Sequence, residues 1–466
     1  MDRPNVSQQT FSKEVRSVYG RGSLGFNDFA YLDFSIRNDW SSALPANDNS
    51  YLYPMIGASF VFSELLPANK VVSFGKVRYS YAQVGSDLDA HQINPIYSAG
   101  AFYGANATLS VPNTLRNENL VPQLTSTHEV GLEMKFLRNR IGFDLTYYTD
   151  VNENQILQLT VPATSGYSVA IINAGKITRE GVELQLNLTP VKTRDFNWDL
   201  TFNWAANTSK VEELADGLDN RQLGTSPFGP TLNAKVGEEW GTLIGRAFRR
   251  DENGNRLVGA NGRFLFDNNV NLGSVLPDYT GGMINTFNFK GVQLRAALDY
   301  QKGGLFYSTS SMFNSYSGLG IQTVGLNDKG VPKRDPVSAG GGVKADGVFQ
   351  GGEPNNVYLE ADAYYKSLFR LSENWIYDAS FLKLREVSLG YNFNPKKLGL
   401  GFATKLNIAL VGRNLLFFGK DTKGIGFDPS EAENFDPNTG GNSIGWFEGG
   451  QLPQTRAIGF NISLGF

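Results

Sequence analysis

The sequence predicts an all-β chain whose strands build an antiparallel transmembrane β-barrel, and three observations carry that prediction. Apolar and polar residues alternate with a period of two through one stretch after another. The links between those stretches alternate between short and long. The composition suits strands and turns, with 12% aromatic residues and 52 Gly among 466 residues. Mean hydropathy is −0.26 and no uncharged apolar run reaches the roughly 18 residues of a membrane helix. A barrel strand passes under that test, because lipid asks only that every second residue be apolar.

Taken in order, the predicted strands are 16–26, 30–39, 53–61, 72–83, 127–136, 141–151, 177–189, 196–208, 279–289, 292–302, 379–391, 403–412 and 455–466. In "IGFDLTYYTD", Ile141, Phe143, Leu145 and Tyr147 share one face and Asp144, Thr146, Tyr148 and Asp150 the other. "VELQLNLT" sets Val182, Leu184, Leu186 and Leu188 against Glu183, Gln185, Asn187 and Thr189. "FNWDLTFNW" does the same with Phe196, Trp198, Leu200, Phe202 and Trp204, and the rule continues through "VQLRAALDY" and, from Arg385, "REVSLGYNF". Each strand is near the 9 to 11 residues that a tilted strand needs to cross a bilayer. The last, "AIGFNISLGF", turns Ile458, Phe460, Ile462, Leu464 and Phe466 to lipid and Gly459, Asn461, Ser463 and Gly465 to the lumen.

Odd-numbered strands are followed by short links, and even-numbered ones by long links rich in Gly, Asn, Asp and Pro: 40–52, 84–126, 152–176, 209–278, 303–378 and 413–454. Outer-membrane barrels sort their links in this way, with short periplasmic turns and long extracellular loops. Closure leaves no backbone group unpaired in lipid. The apolar faces of the quoted runs are read as free of charge, and Trp198, Trp204, Tyr147 and Tyr391 are placed near strand ends as an aromatic girdle. Inward-facing Glu129, Glu133, Asp144, Asp150, Glu183, Arg295 and Asp299 either solvate a polar lumen or contact a substrate or plug. Thirteen is an odd count for a barrel of even strand number, and "MDRPNVSQQTFSKEVRSVYG" has no apolar signal region. Together these predict that further strands precede Met1.

Other chemistries find little support. Net charge is −3, without the basic footprint of nucleic-acid binding. No Cys is present, which removes disulfides and thiol-ligated metals. "GRGSLG" fits a dinucleotide fingerprint at Gly20, Gly22 and Gly25 but runs into a strand, not a helix. "DENGN" at 251–255 has Gly254 in the fourth position, where a calcium loop needs Gly in the sixth, and reads as a tight turn. His91 and His128 are the two histidines, and no G-x-S-x-G elbow accompanies them. No enzyme, cofactor or metal is expected.

Several phrases in order resemble one family. "NENLVPQLTSTHEVGLEMKF" (117–136), "LPDYTGGMINTFNFKGVQLRAALDYQKGG" (276–304), "SFLKLREVSLGYNF" (380–393), "NLLFF" with "GFDPS", and "LPQTRAIGFNISLGF" (452–466) resemble the carboxy-terminal barrel of SusC/RagA TonB-dependent transporters. The resemblance implies the last thirteen strands of a 22-stranded barrel, with the plug, TonB box and carboxypeptidase-like domain absent from these residues. It implies import of glycans or peptides across the outer membrane of a Gram-negative bacterium. The implied partners are a SusD-like surface lipoprotein as lid, the TonB complex through upstream segments, outer-membrane lipid, and the barrel-assembly machinery. Phe460, Ile462, Leu464 and Phe466 would form the signal that this machinery reads. Tyr97, Phe102, Tyr103, Tyr316 and Trp446 are the candidates for stacking on substrate or packing on the lid, with plain loop packing as the alternative. A scaffold role in an envelope complex, or another TonB-dependent receptor such as a siderophore transporter, would use the same barrel.

Overall fold

A computed structural model describes residues 10–67, 71–100, 102–419, 427–432, 445–450 and 454–466. Thirteen strands follow one another in a single antiparallel sheet: β1 (Val15–Phe26), β2 (Ala30–Ser41), β3 (Ser50–Phe60), β4 (Val72–Ser86), β5 (Gln123–Phe136), β6 (Ile141–Glu153), β7 (Lys176–Lys192), β8 (Phe196–Glu213), β9 (Pro277–Phe289), β10 (Val292–Gly303), β11 (Phe381–Phe393), β12 (Lys405–Gly419) and β13 (Ala457–Gly465). All thirteen predicted strands are present. Several run further than predicted, most of them into a long link, while β7 and β11 gain residues in short ones. β8 continues to Glu213 over 18 residues, about 60 Å at ~3.4 Å per residue, twice the roughly 30 Å of a hydrocarbon core. Trp204 and Tyr147 therefore stand within their strands, not at the ends expected of a girdle.

Short links have backbone geometry to match. Lys290 and Gly291 (φ 46° and 93°) both lie in the left-handed region, as a two-residue hairpin between right-twisted strands requires, and Asn27 and Asp28 (φ 46° and 57°) do so in the three-residue link 27–29.

The chain divides into two compact units, 1–184 with 207–221, and 185–206 with 222–466. In the first, register aligns Leu24, Leu32, Ala58, Tyr79, Val130 and Tyr147 in one row across six strands. The row one residue away is Ser23, Asp33, Gly57, Ser80, Glu129 and Tyr148. Because the side-chain period is two, neighbouring rows belong to opposite faces. One face is thus apolar and the other polar. Leu32, Val130 and Tyr147 are 38%, 50% and 46% exposed, so the apolar face is not covered by the unit's own core.

The second unit repeats the pattern, with Trp198, Phe287, Leu294, Leu389, Leu410 and Phe460 in one row. Its neighbour holds Asp199, Thr286, Arg295, Ser388, Val411 and Gly459. Glycines under aromatic rings recur on both faces: a Cβ on Gly22, Gly181 or Gly281 would meet Phe34, Tyr148 or Tyr300. The ring covers backbone that glycine leaves bare.

The long links of the second unit are folded. Antiparallel strands Thr231–Lys235, Thr242–Phe248 and Phe266–Ser274 are joined by helices α1 (Thr309–Tyr316) and α2 (Ala361–Ser367) and by the strand trio Ile376–Asp378, Leu305–Ser308 and Phe447–Glu448. Their core packs Leu232, Leu243, Tyr307, Met312, Leu371, Trp375, Trp446 and Phe447.

Candidate functional site in the polar sheet face and loop module

The polar face carries paired charges. In the first unit, Arg78 reaches across β5 to β6 and donates to both Asp144 oxygens (3.0 and 2.8 Å) and to Thr146 Oγ1 (2.6 Å). It lies over Gly131, where a Cβ would stand 2.4 Å from the guanidinium carbon. Ser80 donates to Glu129 at 3.1 Å, and Lys135 pairs with Glu133 at 3.0 Å.

In the second unit a bulge changes which groups face inward. The register of β11 slips between Leu384 and Glu386 against both neighbours, and Asn414 of β12 takes φ 53° at the same level. Strict alternation from Arg385 would put that arginine with Val387, Leu389 and Tyr391 on the apolar face. The extra residue instead turns Arg385 inward beside Glu386. Arg385 then binds Asp299 (2.7 Å), while Glu386 accepts from Arg295 (2.9 Å) and Arg413 (3.1 Å). Lys383, 1% exposed, holds Asp428 at 2.5 Å and also donates to Ser430 and Gln454. The predicted inward groups Glu129, Glu133, Asp144, Asp150, Arg295 and Asp299 all fall in register on the polar face. Sequence reasoning missed Lys383, Arg385, Glu386 and Arg413. The run "KLRE", with two adjacent charges breaking the alternation, was the available signal.

The loop module, drawn from the links after β8, β10 and β12, is locked by a buried carboxylate. Glu448, 2% exposed, accepts from Ser308 Oγ (2.6 Å), Ser310 Oγ (2.6 Å), the Ser310 amide (3.1 Å) and the Gly450 amide (2.7 Å). Ser308 is also the N-cap of α1, accepting from the Ser311 amide at 3.1 Å. A carboxylate at a helix amino terminus is favoured by the dipole and by amides that lack helical partners.

Between α1, the turn at Ile321–Thr323 and α2 lies a cavity of 780 Å³. Ser315 lines it, and its buried hydroxyl has no hydrogen-bond partner within the chain. An orphaned polar group of this kind costs about 1–3 kcal/mol. Tyr364, also in the wall, is pushed up to about 12 by burial, aided by neighbouring Tyr365. At the rim Lys344 pairs with Asp328 (2.8 Å), which lies below the usual carboxylate range because of that bond and one from Tyr358.

The candidate aromatics are scattered. Tyr97, Phe102 and Tyr103 are exposed (58%, 73% and 82%) beside the small hairpin of Ser98–Ala99 and Leu109–Ser110 in the first unit. Tyr316 closes α1, with its ring 4.8 Å from that of Phe369 and Lys366 above it. Trp446 departs from expectation: it is 1% exposed in the module's core, its carbonyl bonded to the Tyr307 amide. Its ring is covered by this chain and not presented to a ligand. Phe460 (81%), Ile462 (67%) and Leu464 (40%) line the apolar face of β13, and Phe466 (81%) stacks on Phe402. "GRGSLG" is strand β1, and "DENGN" is a turn in which Asp251 accepts from Asn253 and Asn255. His128 sits between Tyr79 and Tyr81 on the apolar face.

Strands with an apolar face in each unit, sorted links and paired inward charges have a counterpart among known proteins. The family model described as TonB dependent receptor-like, beta-barrel matches residues 2–299. The chain belongs to that family. TonB-dependent receptor P26 of Formosa agariphila is 28% identical over 495 residues, covering 97% of this chain and 46% of that protein. TonB-dependent receptor SusC of Bacteroides thetaiotaomicron is 24% identical, covering 81% of this chain and 38% of its own length. The solved RagAB peptide transporter shares the fold, with a TM-score of 0.72 at 20% identity over 97% of this chain and 48% of that one. The chain spans about half the length of the curated relatives it matches. The SusC/RagA resemblance read from the sequence is thus borne out. TonB-dependent receptors of this kind are outer-membrane proteins of Gram-negative bacteria and not enzymes.

Proposed function

We propose that the chain supplies barrel wall and substrate-facing loops to an outer-membrane nutrient importer that takes up a glycan or a peptide with a SusD-like lipoprotein as lid. The observation that carries the reading is in the second unit. There the inward charges of β10 to β12 are nearly all matched to one another, and a packed loop module with an open cavity follows from the same strands. A wall lined this way is wet and selective, while its outer face meets lipid. On this reading the exposed Tyr97, Phe102 and Tyr103 are lid or substrate contacts, and TonB acts through segments outside these residues. Phe460, Ile462, Leu464 and Phe466 serve barrel assembly as well as lipid contact.

Purification of the intact protein from native outer membranes tests this. Recovery of a surface lipoprotein together with bound glycan or peptide is expected. Stable partners of other kinds, with no ligand and no uptake in cells, would instead establish a scaffold.

A further inference from the structure

We propose that the cavity between α1 and α2 is a binding site for a neutral saccharide of a few units. Among its lining residues are two acids, Asp328 and Asp346, and two bases, Lys333 and Lys344, so the wall has no formal net charge. Lys344 is committed to Asp328 and Lys333 to the Gln322 carbonyl. Among the described residues the Asp346 side chain makes no ion pair or hydrogen bond, so an anion would meet a bare carboxylate, whereas a sugar hydroxyl can donate to it.

Apart from Asp346, what the cavity leaves uncommitted is neutral hydrogen-bonding capacity. The Ser315 hydroxyl is buried without a partner, although a helical serine ordinarily bonds a carbonyl one turn back. The side-chain amides of Asn314, Gln322 and Asn374, which also line the cavity, make no hydrogen bond within the chain. An amide both donates and accepts, as does each sugar hydroxyl, so the two kinds of group match without any charge. These amides come from α1 and from the turns at Ile321–Thr323 and Ser372–Trp375. A peptide read along its backbone would be better served by one extended edge.

Rings complete the wall. Tyr364, half-buried and packed edge-on against Tyr365, presents a ring to the cavity, while Trp375 is buried with its indole N–H on the Leu368 carbonyl at 2.9 Å. The apolar face of a sugar ring suits such a wall. At 780 Å³ the cavity is within the range of about 300–1,000 Å³ typical of small-ligand sites.

The test is a titration of the intact protein in detergent with maltotriose, cellotriose, laminaritriose and mannotriose, and with acetylated, amidated tripeptides. Tryptophan fluorescence and saturation-transfer NMR report binding. At least one trisaccharide should bind the wild type, and Ser315→Ala and Asn374→Ala should each weaken it about tenfold. Ser315→Ala should leave thermal stability equal or higher, since it removes an orphaned group. That separates a ligand contact from a merely structural residue. The proposal is overturned if no trisaccharide binds, if neither variant changes the affinity, or if a capped tripeptide binds in the saccharide's place. Uptake is not the readout, so binding retained without import would remove the transporter reading and leave this site standing.

Discussion

At the scale of single residues, the polar face depends on space as much as on charge. Gly131 exists where it does because the Arg78 guanidinium lies flat over it on the way to Asp144. Gly131→Ala should push Arg78 off its partner and lower stability by about 1–3 kcal/mol, the usual cost of overpacking. Asp144→Asn should cost less, because the pair is about one-third exposed and solvent screens it. Heat-dependent mobility on gels would order the two, and equal shifts would remove the steric argument. Tyr364 gives a prediction in pH. Burial raises its pKa from 10.0 to about 12, so the folded module favours the neutral phenol. That contribution is fully present below about pH 10 and is lost as pH rises through about 12. Titration of tyrosine absorbance should therefore show a late ionisation that Tyr364→Phe removes. A wild-type curve identical to that of the variant would refute it.

At the scale of elements, two devices hold the second unit in its arrangement. Glu448 ties strand Phe447–Glu448 to the start of α1 through three hydrogen bonds, and a fourth from the Gly450 amide fixes its own turn. Glu448→Gln replaces an acceptor-only group with one whose amide protons oppose the serine hydroxyls, at a cost of about 1.5–3 kcal/mol for bonds to a charge. Limited proteolysis should then open the chain near 446–450 while the far-ultraviolet strand signal stays constant. The β12 bulge rests on Asn414 in the left-handed region, which asparagine tolerates and β-branched residues do not. Asn414→Val should cost about 1–2 kcal/mol and Asn414→Gly almost nothing, read as melting temperature. These same elements mark how far the sequence could be read. Strands β1 to β13 were legible because a period of two runs through most of each one, and hairpins such as Lys290–Gly291 announce themselves. The bulge was illegible to a rule that assumes strict alternation, and it moved Arg385 to the other face. The fate of Trp446 was illegible for a different reason: whether a loop aromatic is exposed depends on partners distant in sequence, here Tyr307 and Gly224. The cavity shares that limit, since Ser315, Gln322 and Asn374 meet only after folding.

At the scale of the whole molecule, the assignment of one face to lipid makes a claim that a paired substitution can decide. Neighbouring residues in one strand face opposite sides, so an arginine placed at each in turn samples two environments at the same depth. Leu389 belongs to the apolar row and is 51% exposed, while Ser388 is in the polar row between Arg295 and Val411. Leu389→Arg should cost about 2–4 kcal/mol in a bilayer, whereas Ser388→Arg enters a polar interior and should be tolerated. The first unit gives an independent pair, Val130→Arg against Glu129→Arg, with Val130 in the apolar row. Folding yield of the intact protein into phosphatidylcholine vesicles, at matched protein and lipid, measures both. If the apolar faces meet lipid, Leu389→Arg and Val130→Arg lose folded protein and their neighbours do not. The opposite order in both units would mean that the apolar rows face a protein interior. Equal behaviour would mean that the sheet does not sit in a membrane, because in water alone an arginine at a half-exposed position costs little on either face.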